Sequence, residues 1–246
     1  MKEALAYLLA ITIAEIITVT IEPVWGIACH IIVLVAVLLH SALTSKQTHQ
    51  HLLLSLALVP LVRIISLSMP LANIPQIWWY PIIYAPLLVA AFQVVRLLGY
   101  RLEQIGLSFK RIPIQLAIAL TGFLFGVIEY FILTEEAKTT GLALQETWLL
   151  SAFLLLVCTG FVEELIFRGV LQRSAEGAFG WWGIVYVSLL FAIVHLIHRS
   201  AIDIAFVFVV ALFFGWAVKK TGSLLGVTLS HGITNIVLFL IAPSFF

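Results

Sequence analysis

The chain of 246 residues has 63% hydrophobic side chains, only 10% charged ones, a formal net charge of +1 and a mean hydropathy of +1.16. One water-soluble core of this length cannot bury so much apolar surface, so the composition excludes an ordinary soluble domain and predicts an integral protein of a lipid bilayer. The nearly neutral charge argues against nucleic acid as a partner.

The two cysteines, Cys29 and Cys158, lie in apolar runs and form neither a CxxC nor a CxxH pattern. They therefore indicate no disulfide framework and no thiolate metal site. At the N-terminus, Lys2 precedes an apolar run as in a signal peptide, but Glu15 interrupts this run and no small-x-small cleavage pattern follows. We therefore expect a retained first helix.

About nine apolar segments approach the length of roughly 20 residues that a membrane-spanning helix needs. In chain order, the predicted helices cover about residues 4–21, 25–44, 52–68, 81–98, 113–133, 147–176, 181–198, 202–218 and 223–241. The predicted fold class is an all-α polytopic membrane bundle with about eight or nine transmembrane helices. We divide it into N-terminal helices of unassigned role at residues 1–146 and a C-terminal unit at residues 147–246.

The loops carry lysine and arginine unevenly. With nine helices and the N-terminus inside, the opposite side of the membrane holds only Lys138 and Arg199, while Arg63 lies within a helix. Because basic residues are enriched on the cytoplasmic side, this asymmetry predicts a cytoplasmic N-terminus and an external C-terminus. The cytoplasmic side then holds Lys2, Lys46, Arg96, Arg101, Lys110, Arg111, Arg168, Arg173, Lys219 and Lys220.

Residues 160–169, with the sequence Gly-Phe-Val-Glu-Glu-Leu-Ile-Phe-Arg-Gly, place two adjacent carboxylates and an arginine inside an apolar helix. On an α-helix Glu164 and Arg168 are four residues apart on one face, so they can form an ion pair. Glu163 points about 100° away from its neighbour, and this spacing leaves it without a partner. An ionisable side chain at membrane depth predicts a functional site.

Three further polar residues fall at a similar depth. Glu163 and His195 each lie roughly 20 Å from the turn at residues 177–180, which joins their helices in antiparallel order. His231 and Asn235 are four residues apart on the last helix, roughly 12 to 18 Å from its start. We therefore expect Glu163, His195, His231 and Asn235 to meet inside the bilayer.

Other polar residues in the predicted helices have simpler explanations. A lone His30 or His40 is typical of a hydrogen bond between helices. His198 lies towards the membrane edge, where an interfacial role is favoured over catalysis. A structural ion pair, or a position near a helix end, best explains three charged residues: Glu15, Arg63 and Glu129.

The four clustered residues supply what hydrolysis of an amide requires. A desolvated Glu163 can act as general base on a water that His195 shares or positions. His231 and Asn235 can donate hydrogen bonds to the developing oxyanion. The pair formed by Glu164 and Arg168 would then fix the helix face and support Glu163.

A metal-dependent version uses the same residues, because Glu163, His195 and His231 amount to a His₂Glu ligand set with room for a water, as in catalytic zinc sites. No HExxH pattern is present. A carboxylate usually orients a zinc-bound histidine, and we expect none beside His195 or His231, since Asp203 and Glu129 lie near helix ends. We therefore favour a site that requires no cofactor, with zinc as the alternative.

Three motifs follow one another in the C-terminal unit: Glu163-Glu164-x-x-x-Arg168, Phe191-x-x-x-His195 and His231-x-x-x-Asn235. In this order they resemble the CPBP family of intramembrane proteases, also called the ABI or type II CAAX prenyl protease family. The resemblance covers about residues 147–241, and the helices before it resemble no family that we can name.

The resemblance implies that residues 147–246 hold the catalytic helices. It implies that Glu163 and His195 activate the water and that His231 and Asn235 form the oxyanion site, without an obligatory metal. Membrane peptides or proteins, such as CAAX-like tails, would be the substrates, and the protein would be a multi-pass protein of a prokaryotic cell membrane. The resemblance also implies supporting roles for Glu164, Arg168 and Phe191.

Two other classes of function remain open from the sequence. In the first, the protein is not a protease but a bacteriocin self-immunity factor or a scaffold, and its polar cluster only ties helices together. In the second, the protein is a transporter with a site at the midplane of the membrane. The transporter ranks last, because neither inverted repeats nor matching broken helices are visible in the sequence.

The charge asymmetry generates a first prediction, on topology. Single cysteines introduced at Lys110 and Lys138 should react with a membrane-impermeant reagent from opposite sides of the membrane, with position 110 accessible from the cytoplasm. Labelling of both positions from the same side would contradict the arrangement.

Overall fold

The computed structural model describes residues 2–69, 71, 73–139 and 147–245. Throughout these ranges the regular structure is helical, and eight helices are long and apolar enough to cross a membrane. A further apolar helix, Trp182–His198, is shorter. The predicted all-α membrane bundle is confirmed. The orientation of its termini remains a prediction, as does the division at residue 146, which lies outside the described residues.

Within the described ranges, we number the eight long helices and the shorter apolar helix in chain order. They are α1 (Lys2–Thr20), α2 (Pro23–Leu43), α3 (Gln47–Ser68), α4 (Trp79–Leu97), α5 (Ile112–Ile132), α6 (Trp148–Phe179), α7 (Trp182–Val194), α8 (Ala201–Thr221) and α9 (Leu225–Ser244). A 3₁₀ turn, Leu102–Ile105, lies between α4 and α5, and a short helix, Thr134–Thr139, follows α5.

Local sequence accounts for several helix boundaries. Glu22 has extended backbone angles (φ −157°, ψ 146°), because the following Pro23 disfavours a helical conformation in the residue before it. Pro23 then occupies the first turn of α2, where its missing N–H costs nothing. Ser200 caps the start of α8, because its side chain accepts a hydrogen bond from the Asp203 amide. The same helix ends at Gly222, which has the left-handed conformation (φ 69°) common after helices.

Helix α9 packs against α5 and α6. Its approach to α6 is close because glycines face each other: a Cβ atom on Gly160 would lie only 2.8 Å from the Thr228 carbonyl oxygen and 2.9 Å from the Gly232 nitrogen. Small residues allow such contact between membrane helices. The polar residues of α6 and α9 are therefore held within hydrogen-bonding range of each other.

The loop between α4 and α5 fixes the start of α9. The Gly106 carbonyl accepts a hydrogen bond from the Leu224 amide at 2.8 Å, and the Ser223 hydroxyl donates to the Ser108 carbonyl at 2.5 Å. On α5, the side-chain oxygen of Gln115 accepts from the Gly226 amide at 2.7 Å. These contacts set the depth at which the polar residues of α9 lie.

A buried ion pair ties α1 to α3. Arg63 donates two hydrogen bonds to Glu15, at 2.5 and 2.9 Å, and His30 Nε2 on α2 lies 3.0 Å from the same carboxylate. Glu15 and His30 are fully buried, and Arg63 is 7% exposed. The structural ion pair expected for Glu15 and Arg63 is confirmed, and His30 joins it as a contact between helices.

This cluster generates a prediction on stability. Glu15→Ala should lower the free energy of unfolding by about 3–5 kcal/mol, because Arg63 would remain as an uncompensated buried charge. The change in the free energy of unfolding is measured by denaturing the detergent-solubilised protein and monitoring the loss of its helical signal.

Two variants serve as controls for this stability prediction. Lys219→Met breaks the more exposed pair with Glu176, whose atoms are 2.8 Å apart, and should cost about 0–1 kcal/mol. The double variant Glu15→Leu with Arg63→Met should recover much of the loss, since apolar groups often replace a buried pair without penalty. An equal loss in the single and double variants would contradict this explanation.

Candidate functional site

The central part of α6 is wound more widely than an α-helix. Leu155–Glu163 and Leu165–Leu171 are π-helical, between α-helical turns at Trp148–Leu154 and Gln172–Phe179. The sequence interpretation, which took this region as α-helical, is wrong here, because the spacing of apolar residues does not reveal a change of winding. π-Helical turns often occur at functional sites, and this one carries both adjacent glutamates.

Glu164 connects α6 to α9. Its Oε2 lies 3.3 Å from Arg168 Nε, and its Oε1 lies 2.8 Å from Nδ1 of His231. The carboxyl group is completely buried. The ion pair predicted between Glu164 and Arg168 is confirmed, and the bond to His231 is an additional contact that the sequence did not predict.

Arg168 also contacts the aromatic side chains around the site. Its guanidinium carbon lies 4.2 Å from the centre of the Phe191 ring and 5.9 Å from that of Phe214. Stacking of a buried guanidinium on an aromatic face is favourable. Phe191 therefore packs against the cation that holds Glu164, as expected for a supporting residue.

Glu163 has two neighbours, so the expectation that it lacks a partner is wrong. The hydroxyl of Tyr84 on α4 donates a hydrogen bond to Oε1 of Glu163. The other oxygen, Oε2, lies 3.9 Å from Nε2 of His231. Side-chain spacing within α6 could not reveal these contacts, because both partners come from other helices.

His195 is the first residue of the 3₁₀ turn His195–His198, which follows α7. Its Nδ1 lies 2.8 Å from the carbonyl oxygen of Phe191. Because a carbonyl only accepts hydrogen bonds, Nδ1 carries the hydrogen and Nε2 is left for other partners. The rings of His195 and Phe191 lie 4.9 Å apart.

Asn235 is held by α6. Its side-chain nitrogen donates a hydrogen bond of 2.8 Å to the Thr159 hydroxyl, which itself donates to the Leu155 carbonyl at 2.5 Å. An amide nitrogen carries two hydrogens, so one N–H remains for another acceptor.

All four residues predicted to meet line one cavity of about 290 Å³. Glu129 and His198 line it too. Glu129 lies in the last turn of α5, in line with the expected position near a helix end, and the interfacial role of His198 stays a prediction. The remaining wall is largely apolar and aromatic. The site residues on the wall are Glu163, His195, His231 and Asn235, and the apolar part includes Leu133, Phe191, Phe206, Val207, Val210, Phe214, Leu238 and Phe239.

The zinc alternative can be compared with this geometry. In the described part of the chain, no three His, Cys, Asp or Glu side chains are grouped so that they could hold a metal ion, and the site without a metal stays a prediction. The expectation that no carboxylate lies beside His231 is wrong, because Glu164 forms a hydrogen bond with its Nδ1.

Sequence reasoning missed Tyr84 and Thr159. Tyr84 lies on α4, and no spacing rule relates it to Glu163. Thr159 precedes Glu163 by four residues, and this helical spacing was a usable signal that the residue lies on the same side of α6.

Comparison with protein families matches residues 145–237 to one family, described as type II CAAX prenyl endopeptidase Rce1-like. Comparisons with curated proteins and with solved structures give no match. The matched segment contains all three motifs and ends just after Asn235, whereas Tyr84 and Glu129 lie outside it. The predicted family resemblance is confirmed. Residues 145–237 are thus similar to the Rce1-like family of type II CAAX prenyl endopeptidases.

Proposed function

We propose that the protein is an intramembrane endopeptidase that hydrolyses peptide bonds of membrane-associated substrates with a water activated by Glu163. The observation that carries this proposal is the placement of Glu163, His195, His231 and Asn235 around one cavity within the membrane helices. The match of residues 145–237 to the Rce1-like family supports the same reaction class.

The general base is Glu163. A water bound to Oε2 would also be within reach of Nε2 of His231, since these two atoms are 3.9 Å apart. His195 faces the same cavity and can position the water from another side. As the water oxygen bonds to the scissile carbonyl carbon, Glu163 takes the proton that the water releases.

The tetrahedral intermediate carries its negative charge on the former carbonyl oxygen. The free N–H of Asn235 can donate a hydrogen bond to it, and Nε2 of His231 can donate another when that nitrogen is protonated. When the intermediate collapses, the carbon–nitrogen bond breaks and the leaving amine takes the proton held by Glu163. The products are one new carboxylate and one new amine terminus.

The buried contacts around His231 have a definite part in this scheme. Because Nδ1 points to Glu164, only Nε2 can serve the reaction. Arg168 neutralises Glu164 from the other side, so the imidazole is held in one orientation before substrate arrives. Such preorganisation is the main source of electrostatic stabilisation in enzyme sites.

The cavity wall suggests the substrate class. Apolar and aromatic side chains form about half of the lining and lie together with the site residues and with Gln76, Glu129, Thr159, His198 and Thr234. This surface suits an apolar peptide segment or a lipidated tail better than a charged soluble peptide. A CAAX-like tail, with its apolar residues near the cleaved bond, is therefore the substrate class that we propose.

The proposal predicts that Glu163→Gln loses nearly all activity, because an amide cannot accept the proton from water. The loss should be at least about 10²–10⁴-fold, the usual contribution of a general base. The full-length protein in detergent, a farnesylated CAAX peptide and mass spectrometry of the products provide the measurement, alongside peptide profiles of membranes with and without the protein.

Glu103→Gln is the control, since Glu103 is an exposed glutamate of the α4–α5 loop. It should cleave at the wild-type rate, and both variants should accumulate normally. A wild-type protein that changes no peptide in either assay would contradict the proposal and favour a scaffold or immunity factor.

A second prediction concerns Arg168, which we propose supports the site without contacting substrate. Arg168→Ala should lower the free energy of unfolding by about 3–5 kcal/mol, because it leaves Glu164 as a buried charge, and should lower activity as well. Arg173→Ala changes an exposed arginine on the same helix and should shift stability by no more than about 0.5 kcal/mol. An Arg168→Ala protein as stable as wild type that fails only to bind the CAAX peptide would show that Arg168 binds substrate.

A further inference from the structure

Tyr84 lies on α4, outside residues 145–237, which match the family. We propose that Tyr84 is a positioning residue for the reaction: it holds one carboxylate oxygen of Glu163 so that the other faces the water. This inference rests on the proposed function. It also assigns a task to the N-terminal helices, for which the sequence gives no role.

The geometry supports the assignment atom by atom. The Tyr84 hydroxyl donates to Oε1 of Glu163, while Oε2 is the oxygen that lies 3.9 Å from His231 Nε2. An ionised carboxyl group only accepts hydrogen bonds, so a donor on Oε1 leaves Oε2 as the oxygen that faces the histidine. Tyr84 thereby selects which oxygen acts as the base.

The packing of α4 keeps the hydroxyl in place. This helix lies against the π-helical part of α6, and Tyr84 packs on a small apolar cluster of Ile77, Leu155, Cys158 and Leu240. A glutamate side chain has several rotatable bonds, and ordering it costs free energy. A fixed phenol that bonds one of its oxygens keeps Glu163 in one orientation before the substrate binds.

A hydrogen bond that only links two helices would have the same geometry, so the experiment has to separate the two roles. Tyr84→Phe keeps the ring and removes only the hydroxyl. If the hydroxyl positions the base, kcat should fall about 10- to 100-fold, the loss expected for a hydrogen bond to a charged group. KM for the farnesylated CAAX peptide should stay the same, because Tyr84 does not contact the substrate.

Tyr186→Phe is the matched control. Tyr186 is a buried tyrosine on α7 whose hydroxyl donates to the Ala4 carbonyl at 3.1 Å, away from the cavity. This variant loses a comparable hydroxyl contact between helices, and its kcat should equal that of wild type. A kcat for Tyr84→Phe that equals that of Tyr186→Phe, or a raised KM with unchanged kcat, would overturn the proposal.

A second measurement needs no substrate. The infrared difference between wild type and Glu163→Gln isolates the carboxyl band of Glu163, and Tyr84→Phe should shift this band while Tyr186→Phe should not. If Tyr84→Phe does not fold, fluorotyrosine incorporated at position 84 keeps the ring and hydroxyl and, as a stronger donor, should also shift the band. An unmoved band overturns the inference, whereas a shifted band in a protein that cleaves no peptide would overturn only the proposed function.

Discussion

The completely buried Glu164 carboxylate is the constraint on which the site depends. A carboxylate removed from water is costly unless charge and hydrogen bonds compensate it, and here compensation comes from Arg168 on its own helix and from His231 on α9. The contact with His231 is possible only because Gly160 and Gly232 let the two helices approach closely. Close packing, charge compensation and orientation of the imidazole are thus one arrangement, and a change in any of them would disturb the other two.

The membrane bundle contains two clusters built from the same three residue types, with different consequences. Glu15, Arg63 and His30 form a cluster in which the glutamate and histidine are fully buried. Glu164, Arg168 and His231 form the other, in which the histidine keeps 11% of its side chain exposed and lines the cavity. Glu163 lies next to this second cluster, and its side chain is 18% exposed. Residue type alone therefore does not distinguish the two clusters, whereas access to the cavity does.

Much of the fold and part of the site follow from the sequence. Long apolar segments predict membrane helices directly, because the thickness of the bilayer sets their length. The separation of Glu164 and Arg168 along one helix predicts their ion pair correctly. Contacts made across helices could not be derived in this way. The bond from His231 to Glu164 and the one from Tyr84 to Glu163 depend on rotation and tilt, which side-chain packing decides. The π-helical winding of α6 was also invisible, since a local change in winding leaves the apolar composition unchanged.

In the proposed function, two adjacent glutamates carry different tasks because their surroundings differ, as with paired carboxylates in other enzymes. Glu164 is completely buried and does not line the cavity; one of its oxygens is bonded to His231 and the other is paired with Arg168. Glu163 has one oxygen engaged, by Tyr84, and its other oxygen is not in direct hydrogen-bonding contact with His231, which lies 3.9 Å away. This oxygen is therefore left for a water from the cavity that Glu163 lines. The residue that the local spacing left without a partner is therefore the one suited to chemistry, and its partners come from α4 and α9 together, so neither the family-matched segment nor the N-terminal helices complete the site alone.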